Sequence, residues 1–70
     1  MGKQFAERLK QIRNATKPRI TQVEAARRAG VHSLTWSRWE RGAASPDVTQ
    51  LEAIAAALGT TAAKLIEESQ

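Results

Sequence analysis

The stretch TQVEAARRAGVHSLTWSRWERG, Thr21–Gly42, holds two short helical patterns joined by almost nothing. Thr21-Gln22-Val23-Glu24 reads as a capping box, a hydroxyl cap with a glutamate three residues later. The helix it opens runs to about Arg28 and stops at Gly30, which reaches the left-handed conformation at little cost. A second helix follows at once, over about Ser33 to Arg41, and Gly42 ends it. Only about three residues separate the two, and a link that short, pivoting on a glycine, makes the helices cross steeply. That geometry is a helix-turn-helix, spanning residues 21–41.

The side chains agree with it. Ala26 is small where one helix must cross close above the other, and Gly30 supplies the turn. Ala25, Ala29, Val31, Trp36 and Trp39 are apolar at the positions that form the inner faces. Trp36 and Trp39 fall on one face of the second helix, while Ser33, Leu34, Ser37, Arg38 and Arg41 lie roughly opposite. The two indoles are expected to fill the space left by the alanines, because interiors are close-packed.

Outward from this centre, three further helices are expected. The first runs from about Lys3 to Asn14, with Phe5, Leu9 and Ile12 on one stripe. A connector over Ala15–Ile20 contains Pro18, which cannot sit inside a helix, and is made basic by Lys17 and Arg19. After Gly42, Ser45-Pro46-Asp47 offers a cap, a proline at the first helical position and an early acid. The helix that follows carries Val48, Leu51, Ile54, Ala55 and Leu58 on one face and closes at Gly59. Thr61 can cap a short last helix with Leu65 and Ile66 as its apolar residues, and the terminal residues are expected to fray.

Composition supports an all-α reading of residues 1–70 as one small domain. The 70-residue chain has 13 alanines, one phenylalanine, two tryptophans and no tyrosine, too little aromatic and β-branched content for a sheet. There is no cysteine, which excludes disulfides and thiolate metal sites, and one histidine excludes the usual multi-histidine clusters. No apolar run approaches the roughly 20 residues that span a membrane. No nucleophile–base pair, carboxylate dyad or glycine-rich phosphate loop is visible, so an enzyme is not expected. The charge is uneven: residues 1–41 carry ten Lys/Arg against three Glu, and residues 42–70 one Lys against four acids. A basic half suits contact with a polyanion, the alternative being a solvated charged surface.

The ordered elements resemble the Cro/C1-type (Xre-like) helix-turn-helix of phage and bacterial repressors. They are Leu9…Arg13, Thr21-Gln22-x-Glu24-x-Ala26, Gly30-Val31, Ser37-Arg38-Trp39-Glu40-Arg41-Gly42, Pro46, and Leu51-x-x-Ile54-Ala55-x-x-Leu58-Gly59, covering about Phe5 to Ile66. Two features depart from the family pattern: a longer Arg13-to-Gln22 connector, and His32 where a serine or threonine often caps the second helix of the motif. Either His32 or Ser33 must do that job.

The resemblance implies a five-helix, lambda-repressor-like domain that binds double-stranded DNA, most simply a small transcriptional repressor or regulator. Helix 33–41 would enter the major groove with Ser33, Leu34, Ser37 and Arg38 at base edges. Arg38 could bond guanine O6 and N7 together, and Leu34 could touch a thymine methyl. Gln22, Thr21, Lys17, Arg19, Arg41 and His32 would lie at phosphates. Arg13 and Glu40 match a family pair read as a partly buried salt bridge. No cofactor or metal is implied. A homodimer on a near-palindromic operator is the expected assembly, in a bacterial or phage-encoded cytoplasmic, nucleoid-associated setting. The alternative is an antitoxin or coactivator-like module that uses the same fold to bind a protein partner.

Overall fold

A computed structural model describes residues 2–67 and, within them, the side chains of 3–66. Five helices follow in order: α1 Gly2–Asn14, α2 Gln22–Ala29, α3 Ser33–Glu40, α4 Val48–Leu58 and α5 Ala62–Glu67. No strand occurs among the described residues. The expected fraying of the last residues lies outside the described residues.

The turn at the centre of the motif is built as its glycine requires. Gly30 sits at φ 74°, and Val31 N–H returns to the Ala26 carbonyl at 3.0 Å, closing α2 and turning the chain into α3. Ala26 is 1 % exposed, so α3 crosses where a larger side chain would hold it off. α2 packs on both α3 and α4, α1 packs on α3 and α5, and α5 also packs on α4.

One core joins all five helices. Phe5 and Leu9 enter it from α1, Ala25 and Ala26 from α2, Trp36 and Trp39 from α3, Leu51, Ile54, Ala55 and Leu58 from α4, and Leu65 from α5. The two indoles are 0 % and 2 % exposed, and their ring centroids stand 5.7 Å apart at 60°. A buried aromatic ring of this kind removes roughly 200 Å² from water, worth about 5 kcal/mol at 25 cal/mol per Å². They share this core with Ala25 and the half-buried Ala29, and so supply volume that these small α2 side chains do not.

Four sequence expectations need correction. Val48 is 74 % exposed: it shares the angular position of Leu51 and Ala55 but lies in the first turn of α4, where the neighbouring helices no longer cover it. Ile66 is likewise 38 % exposed, so α5 is anchored by the buried Leu65, with the half-buried Ala62 packed against the same core. The cap of α4 is Asp47 rather than Ser45, with Pro46 before the helix. Asp47 Oδ1 accepts from Gln50 N at 2.7 Å and Gln50 Oε1 accepts from Asp47 N at 2.9 Å, a reciprocal pair that Ser45 could not make. At α2 only half of the capping box forms: Thr21 Oγ1 accepts from Glu24 N at 3.1 Å, but the Glu24 carboxylate turns to Arg27 and Arg28. Charged partners within one turn outcompete a backbone N–H that water can reach.

Candidate nucleic-acid interface

With both indoles turned inward, the outer side of α3 is left to solvent. Leu34 is 50 % exposed, Arg38 and Arg41 are exposed, and Ser33 and Ser37 are half-buried along the flank. Leu34, Ser37, Arg38 and Arg41 are spaced three or four apart and so form one continuous strip. Helix α3 ends at Glu40, with Arg41 as its cap. His32, not Ser33, caps its start: the imidazole Nδ1 accepts from Leu34 N at 3.0 Å. An accepting Nδ1 carries no proton, so the neutral ring holds its N–H at Nε2.

Thr21 and Gln22 stand at the start of α2, the first exposed and the second half-buried. Lys17 and Arg19 project from the α1–α2 connector, both exposed. That connector is ordered from within. Thr16 Oγ1 donates to the Arg13 carbonyl at 2.8 Å and accepts from Ile20 N at 3.1 Å. Arg13 Nη1 donates to the Ile20 carbonyl at 2.9 Å. Ile20 itself is buried, an anchor that a reading of the segment as connector alone does not anticipate.

Beneath this surface sits a carboxylate with four donors. Arg13 Nε and Nη2 donate to Glu40 Oε2 and Oε1 at 2.6 and 3.1 Å, Gln22 Nε2 donates to Oε1 at 3.0 Å, and Trp36 Nε1 donates to Oε2 at 2.5 Å. The Glu40 side chain is 1 % exposed. Burial acts to raise its pKa, but the bonds from Arg13, Gln22 and Trp36, with the Arg13 charge, outweigh that and hold the carboxyl below its ordinary value. The Trp36–Glu40 bond follows an i,i+4 spacing that is visible in the sequence. The Gln22–Glu40 bond spans 18 residues and has no local signal.

Charge is distributed unevenly over the exposed arginines. Glu24 holds Arg27 Nη2 at 2.6 Å and Arg28 Nε at 2.7 Å. The hydrogen bonds from Arg27 and then Arg28 lower the Glu24 pKa to about 2. Arg27 and Arg28 are thus partly neutralised on α2. Among the described residues, no carboxylate pairs with Lys17, Arg19, Arg38 or Arg41. Unpaired cations therefore border α3 and the connector, while Lys3, Lys10 and Lys64, equally without a carboxylate partner among the described residues, lie on α1 and α5. Among the described residues there is no metal-ligating cluster, and no helix is long and apolar enough to cross a membrane.

The fold and this surface define a helix-turn-helix domain. A family model described as a helix-turn-helix domain matches residues 4–67, and the chain belongs to that family. Among solved structures it is similar to the DNA-binding domain of the P22 C2 repressor, at 30 % identity and TM-score 0.82 over 94 % of this chain and 86 % of that one. It is also similar in fold to the clp gene regulator ClgR from Corynebacterium glutamicum, at 24 % identity. There the TM-score is 0.85 over 96 % of this chain and 69 % of that one. A search of curated proteins found no match.

Proposed function

We propose that residues 1–70 act as a sequence-specific, double-stranded DNA-binding domain of a transcriptional regulator, with α3 in the major groove. The observation that carries this reading is the orientation of α3: Trp36 and Trp39 lie fully inside, and the strip Leu34–Ser37–Arg38–Arg41 lies outside. An α-helix about 10–12 Å across suits a groove roughly 12 Å wide. Membership in the helix-turn-helix family and likeness to a repressor's DNA-binding domain support it. The chemistry called for is binding, with no catalytic step.

In this reading Arg38 forks onto a guanine, Leu34 meets a thymine methyl, and Ser33 and Ser37 reach neighbouring base edges. Lys17, Arg19 and Arg41 neutralise phosphates, giving affinity without sequence information. Thr21, Gln22 and the Nε2–H of His32 add uncharged phosphate contacts. One module makes few contacts, so the domain works as a homodimer on two half-sites about one DNA turn apart, read as a near-palindrome. Its setting is the cytoplasm of a bacterium or of a phage-infected cell.

Selection of bound sites from a random duplex library tests all of this at once. The expected product is a two-fold symmetric site with half-sites about 10 base pairs apart, bound with an affinity that falls steeply with salt. Equal affinity for all duplexes at moderate salt refutes sequence reading.

A further inference from the structure

A carboxylate offers about four acceptor positions, and all four on Glu40 are filled from three helices. The forked bonds from Arg13 meet the needs of the charge. Trp36 lies one turn back on the same helix, so its bond holds the carboxylate against α3 itself. Gln22 differs from both. It is the first residue of α2, is half-buried, and could satisfy its amide in water. Its bond to Glu40 links the start of one helix of the motif to the end of the other.

We infer that Glu40 is a positioning residue for DNA binding: by accepting from Gln22 Nε2 it orients that amide so that its second N–H meets a DNA phosphate. The inference rests on the DNA-binding function proposed above. Its chemistry is constrained. An ionised carboxylate only accepts, so the amide must turn its nitrogen, not its oxygen, toward Glu40. One of the two hydrogens on that nitrogen is then used at 3.0 Å, and the other is directed away from the carboxylate. The same Arg13 that holds Glu40 also holds the Ile20 carbonyl, so the chain entering α2 is tied to the same point. The amide is therefore fixed relative to α3 before DNA arrives, and little rotamer freedom remains to be lost on binding.

The test uses the full chain and the duplex recovered from the random library, with single phosphates replaced by neutral methylphosphonates. Gln22→Ala is expected to weaken binding about tenfold, the effect of one hydrogen bond to a charged group. Neutralising one particular phosphate should cost the wild type as much and cost Gln22→Ala nothing further. Gln22→Asn, too short to span Glu40 and a phosphate, should lose as much as alanine. In a Glu40→Gln background, Gln22→Ala should cost less than about twofold. A core variant such as Ile54→Val, matched in lowered Tm, should leave the tenfold effect intact, which a merely stabilising role for Glu40 does not predict. An undiminished cost of Gln22→Ala in Glu40→Gln, or full affinity in Gln22→Asn, overturns the inference. Should Glu40→Gln fail to fold, the asparagine variant decides alone. Failure of the library to yield any preferred duplex is a different result, and it removes the DNA-reading function on which the positioning role depends.

Discussion

Replacing each tryptophan by phenylalanine separates what the indole volume does from what one indole N–H does. Trp36 and Trp39 are both buried, and the substitutions remove the same atoms. Trp39→Phe loses packing alone, because its N–H makes no hydrogen bond among the described residues; a core truncation of this size costs about 1–2 kcal/mol. Trp36→Phe loses that packing and also the donor at Glu40 Oε2. A hydrogen bond to a charged group is worth about 1.5–3 kcal/mol, and Glu40 keeps Arg13 and Gln22, so about 2 kcal/mol is the expected increment. A domain of 70 residues has a total stability of about 4–10 kcal/mol. The increment is thus a large fraction of the whole, and it should place the melting temperature of Trp36→Phe about 8–16 °C below that of Trp39→Phe. Urea unfolding followed by far-ultraviolet circular dichroism checks it, with similar m-values expected for both variants because the same surface is exposed. Coincident midpoints for the two variants would show that the Trp36–Glu40 bond contributes nothing net, and the account of Glu40 as a fully satisfied buried charge would fail.

Arg38→Ala should relax preference at one base-pair position, a loss of about 1–3 kcal/mol confined to that position in the selected sites. Arg19→Ala should instead weaken every site alike and reduce the salt slope by about 1, and a position-specific effect there would reverse the assigned roles. His32→Ala should cost about 1 kcal/mol of stability, with His32→Ser restoring most of it, since either side chain can accept from Leu34 N; an equally unstable serine variant in thermal melts would show that the imidazole does more than cap. For pH, the folded-state carboxyl of Glu40 lies below its ordinary value of 4.5, so its contribution is fully present above that value and is lost as pH falls through the lowered one. Acid titration of stability should therefore be flatter in Glu40→Gln than in the wild type. Glu24 acts in the same direction down to about pH 2, but its ion pairs are exposed and 0.5 M salt should remove most of their effect.

Much of this protein follows from residues within a few positions of one another. The helices, the glycine stops, the hydroxyl cap at Thr21 and the inward face of Trp36 and Trp39 depend on backbone sterics, short-range capping and the 3.6-residue period, all properties of contiguous segments. The outer strip of α3 was legible for the same reason, because knowing which edge is buried specifies the other. Local pattern fails where several partners compete or where coverage depends on distant elements. Glu24 could cap α2 or pair with arginines, and Asp47 or Ser45 could open α4; the choice lies in which contacts are satisfied together. Val48 has the right phase but no neighbour to cover it, and Ile20 is anchored through Arg13 and Thr16 rather than by any periodicity. The bond between Gln22 and Glu40 exists only because α1, α2 and α3 meet at one point, so only the packed molecule could decide it: residues that are remote along the chain become hydrogen-bond partners through the placement of whole helices, which no short stretch of sequence encodes.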